Sequence, residues 1–212
     1  MGEVLRVDQA SPAPAVLERA RGVLAAGGVV VMPTDSVYGI GCAATPGNPG
    51  HARVFEIKRR DRSLTLPLLV ADPSELAALA RDLPAWGTRL ASALWPGALT
   101  VVVRASERVP ADYLRPDGTV ALRVPDSGLV RALARLVGGS LAVTSANVHG
   151  EPAAASAAEL DARLVAGADL TLDGGPAGIG VASTIVDATG DAPRILRQGA
   201  VPAAQVEEAC RG

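Results

Sequence analysis

Short apolar runs that stop abruptly most constrain how this chain can fold. Val29-Val30-Val31-Met32 halts at Pro33-Thr34-Asp35-Ser36, Leu99 to Val103 follows the break at Pro96-Gly97, and Gly118 to Val124 is closed by Pro125. Leu141 to Val143 runs into Thr144-Ser145-Ala146-Asn147. Apolar runs of this length, bounded by turn residues, read as buried strands. Leu66 to Ala71, Leu170 to Leu172, Ser183 to Asp187 and Arg194 to Arg197 add extended segments, the last two joined by a turn at Thr189-Gly190-Asp191. Between them lie stretches of helical spacing: Ala15 to Ala26 stopped by Gly27-Gly28, His51 to about Arg59, Pro73 to Ala80, Trp86 to Leu94, Leu129 to Val137, Ala157 to Val165, and a short C-terminal helix. Strands and helices alternate without repeats or low-complexity linkers, the pattern of an α/β architecture around one core. The expectation is a single domain over residues 1–212 with its core from about 12 to 205.

Composition narrows the function classes. Apolar residues make up 49% of the chain, yet Tyr38, Phe55, Trp86, Trp95 and Tyr113 are its only aromatics, so Ala, Val and Leu must build the core. No apolar run reaches membrane-span length, and the N-terminus lacks a basic-then-apolar layout. Cys42 and Cys210 have neither disulfide-framework nor metal-site spacing, which points to a reduced, cytoplasmic protein. A net charge of −2 argues against bulk attraction to nucleic acid. Of the 20 Lys and Arg residues, Lys58 is the lone lysine, inside Lys58-Arg59-Arg60-Asp61-Arg62. Either it survived by chance, or it fills a place too tight for a guanidinium.

Polar residues gather where strands end. Thr34, Asp35 and Ser36 follow one run, Thr144, Ser145 and Asn147 another, and Arg123 ends a third. Taken singly, each hydroxyl or amide reads as a cap or turn residue. Together they fit the crevice beyond the strand ends where open α/β sheets bind ligands. Lys58, Arg60, Arg123 and Arg197 could neutralise phosphates or a carboxylate. The chain has no P-loop, no dinucleotide-binding glycine fingerprint after a strand, and no nucleophile elbow. His51 and His149 read as loop residues. A cation-rich pocket lacking a nucleophile or metal cluster suits chemistry done by positioning and charge neutralisation, as in nucleotidyl transfer.

Seven segments, in order, resemble the Sua5/YciO/YrdC family: Val31 to Gly41, Ile57 to Arg60, Leu94 to Thr100, Ala121 to Asp126, Thr144 to Gly150, Ser183 to Asp187, and Ile195 to Gly199. The resemblance implies a twisted mixed sheet with helices around a deep, positively charged cavity. It implies an L-threonylcarbamoyladenylate synthase, which forms threonylcarbamoyl-AMP, diphosphate and water from ATP, L-threonine and bicarbonate, with Mg²⁺ on the ATP. The product would pass to a transferase complex that makes the t6A nucleoside of tRNA. By position, Ser36, Arg123 and Ser145 would contact threonine, and Lys58, Arg60, Thr119, Asn147 and Arg197 would contact ATP, with Lys58 and Arg60 as the catalytic pair. The chain departs from the family pattern at Asp61, at Leu64, where the pattern has Lys or Asn, at Thr65 and at His149, and keeps a hydroxyl at Ser36 where the family has Thr. It ends soon after Gly199, as the short form without the extra C-terminal Sua5 domain does. Two other readings stay open: a non-catalytic module binding tRNA or double-stranded RNA, suggested by the basic run at 58–62, and an enzyme of related carbamoyl-adenylate chemistry.

Overall fold

A computed structural model describes residues 2–62 and 64–211. Its strands are β1 (Glu3–Arg6), β2 (Val30–Met32), β3 (Gly39–Ala43), β4 (Leu68–Leu69), β5 (Ala80–Arg81), β6 (Leu99–Ala105), β7 (Thr119–Arg123), β8 (Leu141–Ser145), β9 (Leu170–Asp173), β10 (Thr184–Asp187) and β11 (Arg194–Arg197). The α-helices are α1 (Pro14–Ala25), α2 (Pro49–Lys58), α3 (Leu76–Leu79), α4 (Ala85–Leu94), α5 (Gly128–Leu136), α6 (Ala162–Gly167) and α7 (Ala203–Arg211). The strands form one mixed sheet in the order β1-β9-β2-β3-β8-β4-β7-β6-β10-β11, with β5 beside β6. The sheet is mixed: β1 with β9, β2 with β9, β4 with β7 and β6 with β10 are parallel, and the other pairs are antiparallel.

Two apolar layers sandwich this sheet. On one face, Leu24 of α1 and Leu129 and Leu133 of α5 cover Val30, Met32, Leu141 and Leu170. On the other, Phe55 of α2, Leu90 of α4, Leu164 of α6 and Val206 of α7 cover Val29, Val31, Ile40, Val101 and Leu122. Residues alternate across a strand, so a strand covered on both faces must be apolar throughout. That is why the Val29 to Met32 run is continuous rather than alternating.

The structure adds to the sequence expectations at identifiable places. β3 was not anticipated, because Gly39 and Gly41 give it poor strand character. Their role is close approach: a Cβ on Gly41 would fall onto the Ala142 carbonyl oxygen of neighbouring β8. The sheet also begins before residue 12, with β1 pairing β9, and Cys210 of α7 is buried beyond residue 205. Of Leu66 to Ala71, Leu68 and Leu69 alone form ladder pairs. The helix expected over 157–165 is a short 3₁₀ turn followed by α6, because the Asp161 carboxylate caps a fresh start by accepting from Arg163 N–H at 2.8 Å. Among the described residues no helix is long and apolar enough to cross a membrane.

Candidate active site

The ends of β7, β8, β10 and β11 and the loops at 34–39 and 64–67 enclose a cavity of about 510 Å³. Four arginines line it, Arg60, Arg115, Arg123 and Arg197, and no Asp, Glu, His or Cys does so among the described residues. Thr34, Ser36, Thr100, Thr144, Ser145 and Ser183 contribute the hydroxyls.

At the inner end of β7, Arg123 is 6% exposed. Its Nε donates to Gly97 O at 2.9 Å, Nη1 to Ser36 Oγ at 2.8 Å and Nη2 to Asp35 Oδ1 at 2.6 Å. Burial pulls the Arg123 pKa down, and the Asp35 charge and hydrogen bond pull it back up. Three of the five guanidinium N–H groups are used, which leaves two for a ligand. Ser36 is fixed in turn by Thr34, whose hydroxyl donates to Val37 O at 2.6 Å and accepts from Ser36 N–H at 3.1 Å. Asp35 Oδ2 is buried with no partner among the described residues.

Arg60 and Arg197 form the second part of the wall. The C-cap of α2, Arg59, adopts φ 52, a left-handed conformation that turns the chain out of the helix. Arg60 then reaches Thr144 Oγ1 at 2.7 Å and Thr65 O at 3.1 Å. Arg197 on β11 donates to Ser183 O at 2.8 Å and to Ser183 Oγ at 3.2 Å, while Ser183 Oγ lies 2.9 Å from Thr100 Oγ1. Burial lowers the pKa of both arginines; the Arg197 charge lowers Arg60 further, and the Arg123 charge lowers Arg197 further. Arg60 therefore sits in the field of Arg197, and Arg197 in that of Arg123, a cost that an anionic ligand would offset.

Of the eight residues the sequence singled out, Ser36, Arg60, Arg123, Ser145 and Arg197 meet at this cavity. Lys58, Thr119 and Asn147 are not among its lining residues. Lys58 is 1% exposed and lies behind Ser145. Its ammonium donates to the Ser145 carbonyl, to Asn147 O at 2.7 Å and to Asn147 Oδ1 at 3.1 Å. Ser145 Oγ also donates to Asn147 Oδ1, at 2.6 Å, so Lys58 braces the segment that presents Ser145. Burial, and then the Arg60 charge, push Lys58 down to about 7. The three oxygens around it oppose that shift, since they match the three donors of an ammonium. Thr119 shares the face of β7 with Ala121 and Arg123, but its hydroxyl is spent on Asp117 Oδ1 at 2.6 Å.

Sequence reasoning did not single out Arg115, Thr100 or Ser183 as ligand contacts. Arg115 carries no local signal at all. Ser183 could have been weighed, because it sits at the start of a strand quoted for the family resemblance. His149 bears on the site through its backbone, its N–H donating to Lys58 O at 3.0 Å.

The family model for Sua5/YciO/YrdC, described as telomere recombination, matches residues 22–199. A threonylcarbamoyl-AMP synthase of Pyrococcus abyssi (strain GE5 / Orsay) is 35% identical over 189 residues, covering 89% of this chain and 55% of that protein. A relative of the same name in Stenotrophomonas maltophilia (strain K279a) is 36% identical over 174 residues, covering 81% of this chain and 93% of that protein. The crystal structure of P. abyssi Sua5 complexed with L-threonine superposes with a TM-score of 0.90 at 32% identity, covering 97% of this chain and 60% of that one. This chain thus spans little more than half of the archaeal relative and nearly all of the bacterial one. With a family match over most of its length and the same fold in the threonine-bound archaeal structure, the chain belongs to the Sua5/YciO/YrdC family.

Proposed function

We propose that this protein is a threonylcarbamoyl-AMP synthase: it joins L-threonine, bicarbonate and ATP into threonylcarbamoyl-AMP, releasing diphosphate and water. The carrying observation is the convergence of Arg60, Arg123 and Arg197 with Ser36 and Ser145 on one cavity. The barrier to this reaction is the approach of one anion, a carbamate, to the α-phosphorus of another, and fixed positive charge lowers it. In this reading the threonine carboxylate takes the two open N–H groups of Arg123, beside the Ser36 hydroxyl, and Ser145 orients the amino acid. The amine and bicarbonate give the carbamate and water; a carbamate oxygen attacks the α-phosphorus in line, and the P–O bond to diphosphate breaks. Arg60 and Arg197 spread the charge on the phosphates. Lys58 and Asn147 act behind Ser145, and Thr119 from the outer end of β7.

Mg²⁺ on the triphosphate would supply further charge neutralisation. Among the described residues no group of three or more His, Cys, Asp or Glu is placed to hold a metal, so the ion would enter with ATP rather than sit in a protein cage. A cytoplasmic setting, and delivery of the product to a transferase acting on tRNA, complete the reading. Purified protein should release diphosphate only when ATP, threonine and bicarbonate are all present; no release at any bicarbonate concentration would overturn the assignment. Leu64 and Thr65, the departures from the family pattern, line the cavity themselves. That observation favours related carbamoyl-adenylate chemistry as the second reading, which diphosphate release on replacing threonine and bicarbonate with carbamoyl phosphate would identify.

A further inference from the structure

Three of the four arginines lining the cavity are already committed to protein oxygens: Arg60 to Thr144 and Thr65, Arg123 to Gly97, Ser36 and Asp35, and Arg197 to Ser183. The fourth, Arg115, is exposed, and among the described residues its guanidinium meets no hydrogen-bond acceptor or ion-pair partner. Its backbone is nonetheless fixed. Arg115 N–H donates to Thr119 O at 2.9 Å and Gly118 N–H donates to Arg115 O at 2.9 Å, which closes the turn before β7. Gly118 holds φ 74 in that turn, a conformation that favours glycine. Asp117, two residues on, is bound to Thr119 through its N–H at 3.0 Å and its hydroxyl at 2.6 Å; the Thr119 hydroxyl lowers its pKa most, and the Arg115 charge adds to that.

Position then gives this free cation a role. Arg115 adjoins Thr119, whereas Arg123 ends the same strand, roughly 13 Å away at the usual rise of an extended chain. In-line displacement at phosphorus places the leaving group opposite the attacking oxygen. Threonine anchored at Arg123 attacks from the inner end, so the bond to diphosphate must break toward the outer end. We propose that Arg115 is a substrate-contacting residue that binds the β- and γ-phosphates of ATP and then the diphosphate they become. This rests on the synthase reading and extends it to the leaving group.

Inorganic diphosphate, titrated calorimetrically, probes the site without turnover. Removing a charge-assisted contact of this kind should weaken diphosphate binding by about tenfold in Arg115→Ala, with Arg115→Lys between the two. Arg211→Ala, which removes an exposed arginine on α7, controls for net charge and should bind as the wild type does. In turnover, Arg115→Ala should raise KM for ATP and relax inhibition by diphosphate in parallel, leaving KM for threonine within about twofold. Equal diphosphate binding by Arg115→Ala and wild type, no binding by the wild type, or an equal loss in Arg211→Ala would each overturn the proposal. Binding that depends on Arg115 in a protein releasing no diphosphate would keep this site and remove the synthase reading instead.

Discussion

Lys58 and Arg60 stand two residues apart, yet they serve opposite sides of the same wall. Arg60 lines the cavity, while Lys58 lies behind it with its ammonium enclosed by Ser145 and Asn147 oxygens. The division continues around the site: Arg123 and Arg197 face inward, and Asn147 stands with Lys58. A cation near a ligand cavity can therefore neutralise the ligand or shape the surface that meets it. The two jobs predict different consequences when the charge is removed.

The largest effect belongs to the front wall. Arg123→Ala should lower kcat/KM by on the order of a thousandfold, mainly through threonine, because a preorganised charged donor is lost. It should also destabilise the fold by about 3–5 kcal/mol, since Asp35 is left buried and unpaired. Adding Asp35→Ala separates the two costs. Thermal unfolding should recover much of the stability, and activity should not return. If the double variant regains activity, Arg123 is a structural half of an ion pair and the front-wall role is lost.

The back wall is tested by Lys58→Met, which keeps the volume and removes the donors. Three oxygens lose their partner, so stability should fall by about 2–4 kcal/mol. Turnover should drop well over tenfold as Ser145 loses its brace, the decline extending to kcat rather than resting in KM for ATP alone. A selective rise in KM for ATP would instead put Lys58 at the nucleotide. The pH dependence is separate. Folded Lys58 near 7 lies below its ordinary 10.5, so between these values the unfolded chain binds the extra proton and stability rises with pH. Wild type measured against Lys58→Met should show that slope, and a flat difference would mean that the three oxygens keep Lys58 an ammonium.

A smaller change is expected of Ser36→Ala, which deletes the acceptor of Arg123 Nη1 but leaves the Asp35 pair intact. KM for threonine should rise about fivefold with little change in Tm, the usual scale of one hydrogen bond beside a charge. An unchanged KM would remove Ser36 from the threonine end of the cavity.

How legible was this in the sequence? Strands with both faces buried, such as Val30 to Met32, announced themselves because their whole length must be apolar. β3 did not, because Gly39 and Gly41 suit close packing against β8, and that requirement exists only once the partner strand is in place. The ordered motifs single out Ser36, Arg60, Arg123, Ser145 and Arg197, and these five line one cavity. They could not divide front wall from back, since Lys58 and Arg60 look alike until the left-handed Arg59 sends them different ways. Arg115 was invisible because its place depends on the turn that begins β7.

The finest test of the front wall is a residue that does not carry charge. Leu64 is 41% exposed and lines the cavity together with Leu196, so the wall bears apolar surface where the family resemblance expects a polar side chain. An exposed leucine there offers a nucleotide contact area but no hydrogen bond. Leu64→Asn restores a donor and an acceptor at little cost in burial, because the position is already partly wet. One unstrained hydrogen bond should lower KM for ATP by about two- to threefold and leave KM for threonine alone. A rise in KM for ATP would show that Leu64 contributes as an apolar platform for the nucleotide, and that this chain has exchanged a polar grip for a packing surface.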